Sequence, residues 1–104
     1  MAFDLDEGLI QSIQEIGRNY AIEQIVLFGS RARGDHKSTS DIDLAVFLMP
    51  EFNSKGRMTS EIDDLNTFLK IDIVFISEHI DPELLESIER EGVALYERTK
   101  YKSQ

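Results

Sequence analysis

The sequence contains no cysteine and no tryptophan, and it has only 11 lysine and arginine residues against 20 aspartate and glutamate residues. Without cysteine, the chain can form neither disulfides nor thiolate metal sites, and it has no cysteine nucleophile. Its formal charge of −9 argues against a general nucleic-acid binder, because proteins that grip a phosphate backbone usually present a basic surface. We therefore expect no direct nucleic-acid partner.

Long apolar runs are also missing. No stretch approaches the ~18 apolar residues of a transmembrane helix, and the opening residues lack the basic segment and apolar stretch of a signal peptide. Apolar residues make up 41% of the 104 residues, which is enough for one hydrophobic core. We expect a single domain over residues 1–104, in a soluble cytoplasmic protein with no membrane partner.

Hydrophobic periodicity predicts a small α+β protein. Apolar residues at helical spacing alternate with short apolar runs that are typical of buried strands. Asp81 followed by Pro82 is a strong helix start, and Gly92 is a typical stop. This order of elements favours a small mixed β-sheet with helices packed against it. We expect a helix over 5–20, strands over 25–28 and 41–48 joined by a loop, a helix over 58–69, a strand over 71–76, a helix over 82–91 and a strand over 93–96.

Three aspartates interrupt strands that are otherwise apolar. Asp41 and Asp43 are two residues apart, so their side chains lie on one face of a strand, about 6 to 7 Å from each other. Asp72 lies in the next predicted strand and would join them if the two strands pair. A buried carboxylate is costly unless it is paired, protonated or bound to a metal ion. Oxygen ligands favour Mg²⁺ or Mn²⁺ over zinc, and two such carboxylates can chelate metal ions about 4 Å apart.

The segment between the first two strands opens with Gly29 and Ser30. Glycine allows a sharp turn that exposes backbone N–H groups, and these groups, with the serine hydroxyl, can receive phosphate oxygens. Ten residues then separate Ser30 from Asp41.

The combination of Gly-Ser, ten residues, Asp-x-Asp and a later strand carboxylate resembles the minimal nucleotidyltransferases of the DNA polymerase β-like superfamily. The segments FGSRARGDHKSTSDIDLAV (28–46) and IEREGVALYER (88–98) carry the resemblance, which extends over nearly the whole chain. The resemblance implies a polymerase β palm-like fold. The chain is most similar to MntA-type antitoxins, which transfer AMP from ATP onto a helical HEPN-domain toxin.

The resemblance also implies roles for the candidate residues. Asp41 and Asp43 would hold two Mg²⁺ ions, with Mn²⁺ as a substitute, and these ions would clamp the triphosphate of ATP. Asp72 would ligate the catalytic ion and help deprotonate the attacking hydroxyl. Gly29 and Ser30 would bind the β and γ phosphates.

A polyphosphate needs more positive charge than this, because three carboxylates and two divalent ions carry a net charge of only about +1. Arg31, Arg33 or Lys37 could supply it. Arg31 and Arg33 are two residues apart on one helical turn and point in different directions, so we expect at most one to face the nucleotide. The other would brace the acidic site or contact a partner.

The implied function is Mg-dependent transfer of AMP to a hydroxyl, expected to be that of a tyrosine, on a HEPN ribonuclease toxin, which would thereby be inactivated in a hetero-oligomer. Two alternatives remain open. The chain could be a non-catalytic module that masks the toxin by covering its active site. For Asp72 alone, the alternative is a strand carboxylate that is merely paired with Lys70 or Arg57. The chain could also modify a small molecule, although 104 residues leave little room for a second, acceptor-binding domain. The surplus acid over residues 78–91 is interpreted as a docking face for a basic partner.

Overall fold

The computed structural model of the chain describes residues 5–37, 39–65, 67–76 and 79–98. Within these ranges the chain alternates between helices and strands, which confirms the predicted α+β class. The elements are α1 (Glu7–Asn19), β1 (Ile22–Phe28), α2 (Ser30–Arg33), β2 (Ile42–Leu48), α3 (Lys55–Asp63), β3 (Ile71–Ile76), α4 (Pro82–Glu91) and β4 (Val93–Glu97).

The strands form one mixed sheet in the order β3-β2-β1-β4. β1 is antiparallel to both β2 and β4, whereas β2 and β3 are parallel. A parallel pair requires a crossover connection, and α3 supplies it. Because β2 and β3 run in the same direction, both begin at the same edge of the sheet.

Side chains of β2 alternate between two hydrophobic clusters. Ile42, Leu44 and Val46 are fully buried in the main core, which α1 and α3 cover on one face of the sheet. On the other face Ala45 packs with Ile88 of α4 in a smaller cluster. Asp43 alternates with Leu44 and so belongs to this second face, as the sequence predicts.

Capping residues define the starts of two helices. The Asp6 carboxylate accepts a hydrogen bond from the backbone N of Leu9 (3.2 Å) at the start of α1. At the start of α4, Asp81 accepts one from the backbone N of Glu83 (3.1 Å), and Pro82 is the first helical residue, as predicted. Within the described ranges, no helix has the length and apolar character that a membrane span needs.

Three predicted boundaries are wrong by three residues or more, and one of them is the start of α3, which lies at Lys55 rather than at residue 58. β1 begins at Ile22 rather than at residue 25, because Ile22 is fully buried and pairs with Leu48, although two polar residues follow it. α3 ends at Asp63 rather than at residue 69. The chain turns at Asp64, whose N–H donates to carbonyl oxygens of the last helical turn, while Leu69 still packs against the main core from outside the helix.

Candidate active site

Asp43 of β2 lies opposite Asp72 of β3 in the parallel pairing. Opposed residues on adjacent strands project from the same face of a sheet, so the two carboxylates share one face. The backbone N of Ile42 donates to the carbonyl oxygen of Lys70 (2.9 Å), which fixes the start of β2 against the start of β3. Asp41 immediately precedes β2 and is exposed. The three predicted carboxylates therefore lie at one edge of the sheet.

The negative charges of these carboxylates repel one another. Burial raises the pKa of Asp43 above its ordinary value, and the negative charges of Asp72 and Asp41 raise it further, whereas Arg33 lowers it. The ionised state of Asp43 is thus disfavoured, and a nearby cation would relieve the repulsion. Among the described residues, no three carboxylate or imidazole side chains are already arranged as a metal-binding group.

Asp72 also forms an ion pair. The Nζ atom of Lys70 lies 3.5 Å from Oδ1 of Asp72, with 72% and 42% of the two side chains exposed. Lys70 is one of the two ion-pair partners that the sequence analysis offered for Asp72. Exposed ion pairs contribute about 0–1 kcal/mol, so this one leaves Asp72 able to exchange its partner for another ligand.

The turn at Gly29 passes directly against Asp43. Gly29 has φ +80° and ψ −158°, a conformation that is essentially restricted to glycine. A Cβ atom at this position would lie 2.5 Å from Oδ2 of Asp43. The carbonyl oxygen of Gly29 accepts hydrogen bonds from the backbone N of Ala32 and of Arg33 (both 3.1 Å), which turn the chain into α2 at Ser30. The predicted phosphate-binding pair and the carboxylates are therefore neighbours.

Arg31 is buried, with 4% of its surface exposed. Its Nε donates to the carbonyl oxygen of Ser40 (3.1 Å), and its Nη2 lies 3.4 Å from the carbonyl oxygen of Lys37. Both carbonyls belong to the loop that leads to Asp41. These contacts match the bracing role offered for one of the two arginines, and a contact between Arg31 and nucleotide stays a prediction.

Arg33 is partly exposed and faces the acidic site from α2. Its Nε donates to Oδ2 of Asp35, and its Nη1 donates to Oε1 of Glu91 in α4 (both 3.2 Å). Its charge reaches Asp43, whose pKa it lowers. Of the two arginines, Arg33 is therefore the one that is accessible beside the carboxylates.

Glu91 is the residue that the sequence analysis missed, because it included this residue only in the acidic docking face of residues 78–91. One signal was available. An acidic residue in the last turn of a helix is unfavourable with respect to the helix dipole and so needs a cationic partner. The structure gives Glu91 two partners, Arg33 and Arg90, whose Nη2 lies 3.7 Å from Oε2 of Glu91.

The rest of the predicted acidic docking face is only partly described. Glu83, Glu86 and Glu89 are exposed on α4, whereas Glu78 lies outside the described residues. The docking role of this face stays a prediction.

Comparisons with known proteins agree with this geometry. Residues 11–101 match the family described as "Polymerase beta, Nucleotidyltransferase". A relative from Methanocaldococcus jannaschii, assigned as a protein adenylyltransferase, is 30% identical over 73 residues, which are 68% of this chain and 84% of the relative.

Two solved structures show the same fold. A chain of a toxin-antitoxin structure with AMP-PNP is 21% identical, with a TM-score of 0.64, over 86% of this chain and 74% of that one. A chain from the complex of tri-AMPylated Shewanella oneidensis HEPN toxin with MNT antitoxin is 19% identical, with a TM-score of 0.59, over 90% and 74% of the two chains. The predicted resemblance is confirmed: the chain belongs to the polymerase β nucleotidyltransferase family and is a nucleotidyltransferase.

Proposed function

We propose that this nucleotidyltransferase transfers AMP from ATP to a hydroxyl, expected to be that of a tyrosine, on a HEPN-domain toxin and thereby inactivates the toxin. The main support is the opposition of Asp43 and Asp72 in the β2–β3 register, directly beside the turn at Gly29. The relatives point the same way. One is assigned as a protein adenylyltransferase, and a structural neighbour comes from a complex with an AMPylated HEPN toxin.

The carboxylates fit divalent cations. The raised pKa of Asp43 reflects repulsion from Asp72 and Asp41, in addition to burial, and bound Mg²⁺ or Mn²⁺ would relieve that repulsion. Asp41 and Asp43 would hold two ions, and Asp72 would share one of them. When bound, the ions supply positive charge to the triphosphate and acidify the acceptor hydroxyl.

The chain itself binds and orients the nucleotide. In this proposal the turn at Gly29 presents backbone N–H groups to the β and γ phosphates, and the Ser30 hydroxyl adds a further hydrogen bond. Arg33 adds positive charge to a site in which the carboxylates cancel most of the charge of the metal ions. Arg31 keeps the loop in place. Positioning and electrostatic stabilisation are the main contributions of a protein to phosphoryl-type transfer.

The reaction forms one bond and breaks one bond. The acceptor oxygen attacks the α-phosphorus of ATP, and the bond between that phosphorus and the oxygen bridging to the β-phosphate breaks. Pyrophosphate leaves with the bonding electrons, and the hydroxyl proton passes to the Asp72 carboxylate. Asp41 is exposed and the Asp72 side chain is 42% exposed, so the hydroxyl of another protein can reach this edge.

The proposal is tested by incubating a purified cognate HEPN toxin with this chain and measuring the intact mass and the ribonuclease activity of the toxin. We expect the toxin to gain the mass of one or more AMP units and to lose ribonuclease activity only when ATP and Mg²⁺ are present. The Asp41→Asn, Asp43→Asn double variant is the control and should produce neither change. Equal inhibition by that variant, or by the wild type without ATP, would instead establish the masking module.

A further inference from the structure

The Arg33 side chain links α2, which follows the turn at Gly29, to α4. Its guanidinium contacts two carboxylates, Asp35 two residues along the chain and Glu91 at the end of α4, both at 3.2 Å. A guanidinium has five N–H donors, and these contacts use one on Nε and one on Nη1. Because 43% of the Arg33 side chain is exposed, a ligand at the carboxylate edge can reach it.

Glu91 does not depend on Arg33 alone. Its second oxygen lies 3.7 Å from Nη2 of Arg90, and Nη1 of Arg90 lies 4.0 Å from Oε2 of Glu86. If Arg33 moves to another anion, Arg90 remains as the counter-ion of Glu91. Release of Arg33 therefore leaves no unpaired carboxylate at the end of α4.

Building on the proposed function, we propose that Glu91 is a positioning residue that competes with the triphosphate of ATP for Arg33. ATP takes the guanidinium from Glu91 when it binds, so the Glu91 carboxylate weakens the affinity for ATP. Exposed ion pairs are worth about 0–1 kcal/mol, whereas a guanidinium binds phosphate oxygens in a stronger, bidentate geometry. The exchange is thus favourable, and Glu91 adjusts the affinity without preventing binding.

The experiment measures Mg·ATP binding by titration calorimetry without an acceptor protein. We expect Glu91→Gln to bind Mg·ATP about two- to fivefold more tightly than the wild type, which corresponds to the loss of one exposed ion pair. Glu89→Gln is the matched control, because Glu89 is an exposed acid on the same helix and makes no described contact with Arg33. Its affinity should equal that of the wild type. Tripolyphosphate should show the same tightening as ATP, and AMP should show much less.

A double-mutant cycle separates this competition from general charge repulsion. In an Arg33→Gln background, the Glu91→Gln change should have no effect on the affinity for Mg·ATP, because the contested guanidinium is gone. Equal tightening in both backgrounds would overturn the proposal, as would unchanged or weaker binding by the Glu91→Gln variant alone. Thermal unfolding of each variant verifies that it is folded.

Failure of this proposal is distinguishable from failure of the proposed function. AMP transfer to the toxin by the wild type is measured in parallel, and it does not depend on what replaces Glu91. For Glu91→Gln we expect a lower KM for ATP with little change in kcat, since Glu91 does not touch the reacting atoms. A changed kcat at an unchanged KM would indicate a structural role and would count against the competition.

Discussion

Asp43 and Asp72 occupy the same register position of the parallel strands β2 and β3, and the charge of Asp72 raises the pKa of Asp43. The two carboxylates thus interact although 28 residues separate them in the chain. The pairing of two strands assembles the candidate site, and no single loop can carry it alone.

Replacing either Asp41 or Asp43 by Asn should lower AMP transfer by more than about 100-fold at saturating Mg²⁺, because loss of even an indirect metal partner costs about 10- to 100-fold. The measurement is the initial rate of toxin modification. Glu15→Gln is the control, because Glu15 is an exposed acid of α1 that pairs with Arg18, and it should retain full activity. A loss below about tenfold at Asp41 and Asp43 would contradict a metal-binding role.

Asp43→Asn should also raise the thermal midpoint of the free protein at pH 7 in the presence of a chelator. The folded state raises the pKa of Asp43, so it binds this proton more tightly than the unfolded chain does. The free energy of unfolding therefore falls as the pH rises through the ordinary value of 3.8 and the folded-state pKa above it. Asparagine carries no charge and escapes this loss.

The control for this prediction is the same comparison of variant and wild type at low pH. The gain from Asp43→Asn should disappear below pH 3.8, where Asp43 is protonated in both states of the wild type. Added Mg²⁺ should stabilise the wild type more than the variant and so narrow the gap at pH 7. A gain that is the same at every pH would show that the charge of Asp43 is not its cause.

Gly29→Ala should reduce the transfer rate by far more than its loss of folding stability accounts for. The new Cβ would lie 2.5 Å from the Asp43 carboxylate, and the backbone conformation there costs about 1–3 kcal/mol for other residues. Gly34→Ala is the matched control, because Gly34 also has a positive φ, of 91°. Both variants should lose stability in urea titrations, and only Gly29→Ala should lose most of its transfer rate per folded molecule.

Replacing Arg31 by Gln should mainly affect folding stability, whereas replacing Arg33 by Gln should mainly affect the KM for ATP. Arg31→Gln removes the hydrogen bond that the buried Arg31 side chain donates to the carbonyl oxygen of Ser40 and should reduce the free energy of unfolding by about 1–3 kcal/mol. Arg33→Gln removes only exposed ion pairs, so it should change stability by less than about 1 kcal/mol while raising the KM for ATP. Urea titration and ATP-dependent kinetics of the two variants provide the test.

Local patterns in the sequence predicted much of this fold. The alternation in β2 correctly separated Asp43 from Ile42 and Leu44, because a strand has a fixed period of two. The helix start at Asp81 was equally predictable from the sequence, since capping depends on adjacent residues. The spacing of Gly29, Asp41 and Asp43, through its resemblance to the nucleotidyltransferase signature, predicts the candidate site from the sequence alone.

The remaining features depend on contacts that sequence spacing does not reveal. Arg33 and Glu91 are 58 positions apart in the chain, so sequence spacing did not indicate the ion pair that they form in the folded protein. The sequence left open whether Arg31 or Arg33 braces the site, because the burial of Arg31 depends on how the loop folds over it. The sequence analysis stated that Asp72 would join the other two aspartates if β2 and β3 pair. The register of that pairing could not be derived from either strand alone.

The parallel pairing of β2 and β3 also sets an order of events during synthesis. Asp72 leaves the ribosome only after Asp43 and the whole of α3, and the crossover must then close before the two carboxylates meet. Closing such a long segment costs chain entropy that local structure does not repay. A nascent chain that ends within α3 can therefore bury part of its core while it still lacks a complete site.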